Sequence, residues 1–452
     1  MIRPLRRIVP LLVALFLLPV VASADDLNSP LSKLELQDGD CIVFLGDSIT
    51  HQCLYTQYVE DYFYTRFPDM RLKLHNAGVG GARAWDALAR FDDDVASYEP
   101  KYVTILLGMN DGTYRPFHQE TFDTYRQDMT ELLTQIDAIG AQPVLMTPTM
   151  FDARAARVRN PNRDPESTLL YNSVLTYYGT WLREVAVDQG YGFVDMWGPL
   201  NNLTLQQRKT DPSFTMIVDA VHPDPPGQVV MAVAIINDMG LKRQVSNIRV
   251  TLGGRGPQVR SSGGEVTELE ADDEGLSFTW QAESLPWVLP EDAQLGAELT
   301  RLGHRFSREA LEVHGLQPGR YTLSIDDMEV GTFTHVALQR HIELQANDKT
   351  PQYQQALEVA LLNRERNSGP VRALRGEWSK FQAYARVKRQ ADANPDDDNA
   401  AQQLAERAAQ IAGMEERVAA HIDAAREIED RIFEINQPPS RRYVVRRAKA
   451  KP

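Results

Sequence analysis

The stretch Cys41-Ile42-Val43-Phe44-Leu45-Gly46-Asp47-Ser48-Ile49-Thr50 joins a short apolar run directly to a polar motif. An apolar run of this length, ending in glycine and a residue suited to capping a helix, predicts a buried strand followed by a helix. In an α/β fold, such a strand-to-helix turn lies at the edge of the sheet where ligands bind. The stretch therefore predicts that the hydroxyl of Ser48 is presented at the edge of a parallel sheet.

The same alternation continues along residues 38–240. Apolar runs predict strands at 41–45, 72–74, 102–107, 143–146 and 192–194. Three- and four-residue apolar spacing predicts helices near 52–66, 84–97, 121–139, 167–188 and 226–239. This alternation predicts a parallel sheet with helices on both faces. Its ligand-binding edge would carry Ser48, Gly81, Asn110, Asp219 and His222.

Four sequence blocks in this region resemble those of the SGNH (GDSL) hydrolase superfamily, over roughly residues 38–242. The blocks are Phe44–Thr50, Asn76–Gly81, Gly108–Asp111 and Asp219–His222, and they occur in the family's order. The resemblance implies a flavodoxin-like three-layer α/β/α domain of an exported, acetylesterase-like enzyme with a Ser-His-Asp mechanism. It implies no metal or other cofactor, and it names no particular substrate.

The residues themselves support this chemistry. A serine hydroxyl is a poor nucleophile until a base takes its proton, so Ser48 requires a nearby imidazole. His222 is the predicted base, and Asp219, three residues earlier, can hold its far ring nitrogen. Taken singly, each is an ordinary polar residue, but together in four ordered blocks they predict a catalytic triad.

Three hydrogen-bond donors are predicted to stabilise the negative oxygen of a tetrahedral intermediate. They are the backbone amide of Ser48 at a helix start, the backbone amide of Gly81, and the side-chain amide of Asn110. Gly80 remains the alternative to Gly81 because both lie in one glycine-rich turn.

Substrate contacts are predicted for the loops beside these residues. The candidates are Asp47, Trp85, Tyr114 and Phe117, because aromatic faces stack on sugars and also bury acyl groups. The alternative is that they are core and rim residues, with Asp47 capping the next helix and Asp111 ordering the loop of Asn110. Residues 152–166 are predicted as a solvated loop that could border the cleft.

These observations predict a serine hydrolase that cleaves an ester through an acyl-enzyme, with O-acetyl groups on carbohydrate as the favoured substrates. A lipid esterase or lysophospholipase and a thioesterase remain open. A binding or scaffold protein built on an inactive hydrolase domain is the alternative of another class. The complete set of chemical groups argues against that last alternative.

Residues 1–24 predict a cleaved signal peptide. Three arginines precede an apolar stretch of 14 residues, and Ala22 and Ala24 give the small-x-small form of a cleavage site. An uncleaved anchor is the alternative, but the stretch is shorter than the roughly 20 residues needed to span a bilayer. The sequence therefore predicts export to the periplasm or medium, without stable insertion in the membrane.

Composition excludes some functions. The formal net charge of −14 argues against a nucleic acid as partner. The two cysteines, Cys41 and Cys53, lack the spacing of a metal site. Cys41 would begin the first strand, and Cys53 would lie just past the far end of that strand. We predict that they do not pair, although their oxidation state stays open.

A chain of 452 residues is longer than a domain with a single hydrophobic core usually is, so we expect several regions. After the signal peptide, we expect a hydrolase domain at 25–243, a β-rich accessory module at 244–348, a helical region at 349–437 and a basic disordered tail at 438–452. The last helix is amphipathic, which favours packing on its own chain, with a protein partner bound through the C-terminal helices as the alternative.

Overall fold

A computed structural model describes residues 31–254 and 256–449. The expected signal peptide at 1–24 lies outside the described residues. Within the described ranges, no helix is long and apolar enough to cross a bilayer.

The first region is built on one parallel sheet, as the apolar runs predicted. Its strands are β1 (Cys41–Gly46), β2 (Lys73–Gly78), β3 (Tyr102–Leu106), β4 (Gln142–Met146) and β5 (Gly192–Val194). Their order is β2-β1-β3-β4-β5, and every neighbouring pair is parallel. All six residues of β1 are buried, as expected of a central strand covered on both faces. The predicted three-layer α/β fold is confirmed.

Nine helices of the described chain alternate with these strands. They are α1 (Ser48–His51), α2 (Leu54–Arg66), α3 (Ala84–Leu88), α4 (Phe91–Asp94), α5 (Gln119–Ala138), α6 (Ala153–Arg159), α7 (Pro165–Gln189), α8 (Trp197–Gln207) and α9 (Pro225–Asp238). The single helix predicted at 84–97 is instead two short helices and a 3₁₀ turn at Ala96–Tyr98. The solvated loop predicted at 152–166 is also wrong in part, because Asp152 caps α6 by accepting hydrogen bonds from two backbone amides.

Residues 244–343 contain short strands and helices. They are β6 (Gln244–Thr251), β7 (Gln258–Ser262), β8 (Gly264–Asp272), β9 (Gly275–Ala282), α10 (Gln294–Thr300), α11 (Leu302–Phe306), β10 (Arg308–His314), β11 (Arg320–Ile325), β12 (Met328–Thr334), α12 (His335–Arg340) and β13 (Ile342–Glu343). Strands β11 and β12 form an antiparallel hairpin, and its turn residues Asp326 and Asp327 both have positive φ.

The chain ends in four helices and one more strand. These are α13 (Pro351–Arg366), α14 (Arg372–Ala393), α15 (Asp398–Ile411), α16 (Met414–Ile435) and β14 (Arg441–Arg447). The prediction of a disordered tail from 438 is wrong for β14, which pairs antiparallel with both β9 and β11. Tyr443 and Val445 are buried on one face of the strand, whereas Arg442 and Arg446 lie on the other face, so the strand buries two apolar side chains and keeps its charges near the surface.

Two further sheets enclose a second apolar core. One has the order β13-β10-β6-β7, and the other has the order β12-β11-β14-β9-β8. The C-terminal helices pack on the first region instead of extending this core. Asn363 of α13, for example, donates from Nδ2 to Asp61 Oδ1 of α2 at 2.8 Å. This covering explains why nearly every residue of α2 is buried.

Replacing Tyr443 tests whether β14 is a packed strand. Its ring stacks on Phe278 with centroids 5.0 Å apart, and its hydroxyl accepts a 3.1 Å hydrogen bond from Gln352 Nε2. We expect Tyr443→Ala to lower the free energy of unfolding by about 3–5 kcal/mol, because it leaves a cavity in the second core. Urea denaturation measures the change, and Arg446→Ala on the same strand is the control. Equal stability of Tyr443→Ala and the unmodified protein would contradict the packing described.

Candidate active site

Ser48 is the first residue of α1, directly after β1. Asp47 caps this short helix by accepting a 2.9 Å hydrogen bond from the amide of Ile49. His222 lies in the segment before α9, and its Nε2 is 2.8 Å from Ser48 Oγ. Its Nδ1 is 2.6 Å from Asp219 Oδ2. The structure thus brings these three predicted side chains into one hydrogen-bonded row.

A tight turn holds the carboxylate of this row. Asp219 Oδ1 accepts hydrogen bonds from the amides of Val221 and His222, at 2.9 and 2.8 Å. Ala220, which lies between Asp219 and Val221, is buried and has φ +80°, a left-handed conformation that costs free energy for a residue with a Cβ. The turn therefore aims Asp219 at the imidazole without any distant partner.

Hydrogen bonding keeps Asp219 charged. Partial burial opposes the charge, but the hydrogen bonds from the His222 amide, the His222 ring and the Val221 amide prevail, so the pKa of Asp219 is lowered. Arg159 of α6 also approaches, with Nη1 3.7 Å from Asp219 Oδ2. A carboxylate at this position retains the proton on Nδ1 of His222 and leaves Nε2 free to accept the proton of Ser48.

Asn110 and Gly81 line a common cleft whose wall does not include Ser48, Asp219 or His222. Asn110 Oδ1 accepts a 3.0 Å hydrogen bond from the hydroxyl of Tyr114, and its Nδ2 donates to Ala82 O at 3.1 Å. The contact of Nδ2 with Asp47 Oδ2 is 3.4 Å, too long to occupy the second hydrogen firmly. Gly81 has φ +68°, which favours glycine. The cleft wall thus carries the Asn110 side-chain amide, which is held in place by Tyr114 and Ala82.

The cleft has a volume of about 800 Å³, and its wall combines charged, polar and aromatic side chains. Of the predicted substrate contacts, Trp85 and Tyr114 line it. Gly81 belongs to the wall and its alternative Gly80 does not. Sequence reasoning missed the part of the wall that comes from α14, namely Arg386, Arg389 and Gln390.

Two predicted substrate contacts lie elsewhere. Asp47 is buried and does not line the cleft. Its carboxylate accepts a hydrogen bond from the Ile49 amide and approaches the side chain of Asn110, so it supports the site without facing the cleft. Phe117 is outside the wall of the cleft, and its ring packs on Phe122 and Tyr177. The pattern of aromatic residues after Asn110 could not distinguish Phe117 from Tyr114.

Asp111 holds the loop that carries Asn110. Its two carboxylate oxygens accept the amides of Ala84 and Gly108, at 2.9 and 3.0 Å. Burial, partly offset by these hydrogen bonds, raises the pKa of Asp111 to about 7. Along 31–254 and 256–449, no three His, Cys, Asp or Glu side chains are grouped to hold a metal ion.

Comparison with known proteins gives a family for this region. Residues 44–230 match the GDSL-like lipase/acylhydrolase family model. An acetylxylan esterase of Geobacillus stearothermophilus is 24% identical over 231 residues, which cover 46% of this chain and 98% of that one. A solved structure of a gut microbial diltiazem-metabolizing enzyme is 26% identical with a TM-score of 0.76, covering 93% of this chain and 100% of that one. The architecture after the GDSL-like region is therefore shared as well.

The buried Asp47 predicts a dependence of stability on pH. Burial is the main cause that raises its pKa to about 7, opposed by the hydrogen bond from Ile49 and reinforced by the charge of Asp111. The folded protein therefore holds this proton more tightly than the unfolded chain. The resulting stability is complete below about pH 4 and is lost as the pH rises through about 7.

We therefore expect Asp47→Asn to gain stability relative to the unmodified protein as the pH is raised from 5 to 8. The gain should be about 1–3 kcal/mol, since one pKa unit corresponds to about 1.4 kcal/mol. Urea denaturation at each pH measures it, with exposed Asp93→Asn as the control. A difference between Asp47→Asn and the unmodified protein that stays constant across this range would contradict the interpretation.

Proposed function

Because this chain is an ester hydrolase with a GDSL-like domain of the SGNH superfamily over residues 44–230, we propose that Ser48 attacks the acyl carbonyl of its substrate. His222 Nε2 removes the hydroxyl proton as Ser48 Oγ bonds to the carbonyl carbon. Asp219 holds the imidazole and balances the positive charge that it gains. The observation that carries this proposal is the row of contacts at 2.8 and 2.6 Å that joins the three side chains.

The attack places a negative charge on the former carbonyl oxygen. The amides of Ser48 and Gly81 and Nδ2 of Asn110 are assigned as its donors, each such donor being worth about 10²–10³ in rate. Collapse of the intermediate breaks the ester bond, and the leaving alcohol takes the proton from His222. Water then attacks the acyl-enzyme, with His222 again accepting the proton, and releases the acid and free Ser48.

This arrangement favours an enzyme over an inactive scaffold. The nucleophile, base and acid are connected by hydrogen bonds of normal length. Tyr114 donates to Oδ1 of the Asn110 side chain and Nδ2 donates to Ala82 O, so the orientation of this amide is fixed. Such preorganisation costs conformational freedom and has no evident use in a protein that only binds.

The favoured substrate is an acetyl ester on carbohydrate. The acetylxylan esterase relative aligns over almost its entire length. The cleft is wide, and its wall contains seven charged residues together with Trp85 and Tyr114. The Arg389 guanidinium covers one face of the Trp85 ring at 4.3 Å, so the opposite face is the one proposed to receive a sugar ring. A long acyl chain would have to displace water from these charged side chains. Esters of other small molecules are the second candidate, since a diltiazem-metabolizing enzyme has a similar architecture.

Turnover of p-nitrophenyl acetate tests the mechanism. We expect Ser48→Ala and His222→Ala to lower kcat by about 10³-fold or more, and Asp219→Asn to lower it by a smaller but large factor. Exposed Ser97→Ala is the matched control, and its rate should equal that of the unmodified enzyme. Undiminished turnover by a folded Ser48→Ala protein would refute the mechanism.

A substrate panel tests the assignment of carbohydrate esters. We expect a higher kcat/KM for acetylated xylo-oligosaccharides than for long-chain p-nitrophenyl esters or acyl thioesters. Trp85→Ala should raise the KM for the oligosaccharide about 10-fold and leave the KM for p-nitrophenyl acetate almost unchanged, because only the sugar needs the aromatic face. Preference for a long acyl chain would overturn the assignment.

A further inference from the structure

Helix α14 contacts the backbone of the glycine-rich loop at the cleft. Three of its side chains, Arg375, Gln382 and Arg386, are seven and four residues apart and therefore share one face of the helix. All three donate hydrogen bonds to backbone carbonyls of residues 76–81. The loop that follows β2 is thus held by a helix about 300 residues later in the chain.

Gln382 binds the peptide group that contains the assigned oxyanion donor. Its Nε2 donates to Gly80 O at 2.9 Å. That carbonyl and the amide of Gly81 belong to one planar peptide unit, so the direction of the carbonyl determines the direction of the N–H. A hydrogen bond to the oxygen also polarises the N–H and strengthens it as a donor. Gln382 is buried, so packing holds its side chain in place.

Arg386 holds the next peptide and a neighbouring carboxylate. Its Nη2 donates to Gly81 O at 2.7 Å, and its guanidinium makes two 2.7 Å hydrogen bonds to Asp86. Asp86 is buried and accepts the amide of Arg83 at 2.8 Å, which continues the connection along the loop. The peptide carrying the donor is therefore restrained on both sides.

Arg375 anchors the helix below this loop. Its Nη1 donates to Asn76 O at 2.6 Å and its Nε donates to Gly78 O at 3.1 Å. It is fully buried and also pairs with the fully buried Asp94. A charged pair without solvent is a demanding arrangement, because displacing either partner leaves the other charge unpaired. This pair therefore fixes the position of α14 against β2.

We propose that Gln382 and Arg386 are positioning residues for catalysis, which orient the Gly81 amide toward the oxyanion. The inference rests on the proposed function, in which that amide is a donor. The turn after β2 contains Gly80 and Gly81, whose backbones have unusual freedom, so it needs external restraints to keep one donor geometry. The C-terminal helices supply those restraints and so are part of the active site.

Gln382→Met in the full-length protein tests this proposal. Methionine retains the approximate length of the side chain and removes its amide donor. We expect kcat for p-nitrophenyl acetate to fall about 10- to 100-fold with KM unchanged, because the misaligned donor acts on the transition state. Affinity for an aryl trifluoromethyl ketone, whose adduct with Ser48 carries an oxyanion, should fall by the same factor. Gln402→Met, exposed in α15, is the control and should match the unmodified enzyme.

The same assays separate the possible failures. A folded Gln382→Met protein with normal kcat, or with reduced kcat and normal affinity for the ketone, would overturn the inference alone. Full activity of Ser48→Ala would instead overturn the proposed function. If Gln382→Met does not fold, Arg386→Met is the second test of the inference. Arg386 is partly exposed, so its replacement disturbs the packed core less. In Arg386→Met, we expect kcat and the affinity for the ketone to fall together while KM is unchanged. If they do not fall together, the inference is overturned.

Discussion

The register of three parallel strands is the constraint on which the proposed catalytic centre depends. Strand β1 lies between β2 and β3, and Gly46 at its end is level with both Gly78 and Leu106. All three strands therefore end at the same level of the sheet. Ser48, Gly81 and Asn110 follow these strand ends within a few residues. Backbone hydrogen bonds inside the sheet set the positions of these strand ends. The residues of the site therefore keep a defined geometry although they lie in loops and at a helix start.

A buried cluster of charges connects this centre to the C-terminal helices. Asp94 contacts Arg90, Arg375 and His75, and Arg90 also reaches Gly46 O at 3.3 Å. Burial alone would raise the pKa of Asp94, but Arg375, the hydrogen bond from His75 and Arg90 together lower it, so the carboxylate stays charged. The cluster links the end of β1, the loop after β2 and helix α14 into one polar unit. The similarity of the diltiazem-metabolizing relative over 93% of this chain is consistent with such an integrated architecture.

The sequence predicted what is encoded locally and missed what depends on distant contacts. The strands β1–β5 are marked by apolar runs, and Asp219 and His222 are neighbours in one turn, so both were accessible to pattern reasoning. The basic segment of β14 was misjudged because its charges hid the alternating burial of Tyr443 and Val445. The part of the cleft from α14 was missed because no local periodicity reports a contact between Gln382 and Gly80. One feature of the sequence does indicate this contact. The polar side chains that reach the loop share a face of α14 with the buried Trp378, and polar residues on the buried face of a helix indicate a polar partner.

The most direct measurement of the central claim is to locate the covalent adduct of an alkyl fluorophosphonate, which reacts with activated serine hydroxyls. The account predicts a single adduct per chain, found by peptide mass spectrometry on Ser48, whose formation abolishes ester hydrolysis in proportion to its occupancy. An adduct on a different residue that abolishes hydrolysis, or full modification of Ser48 with hydrolysis retained, would contradict the account.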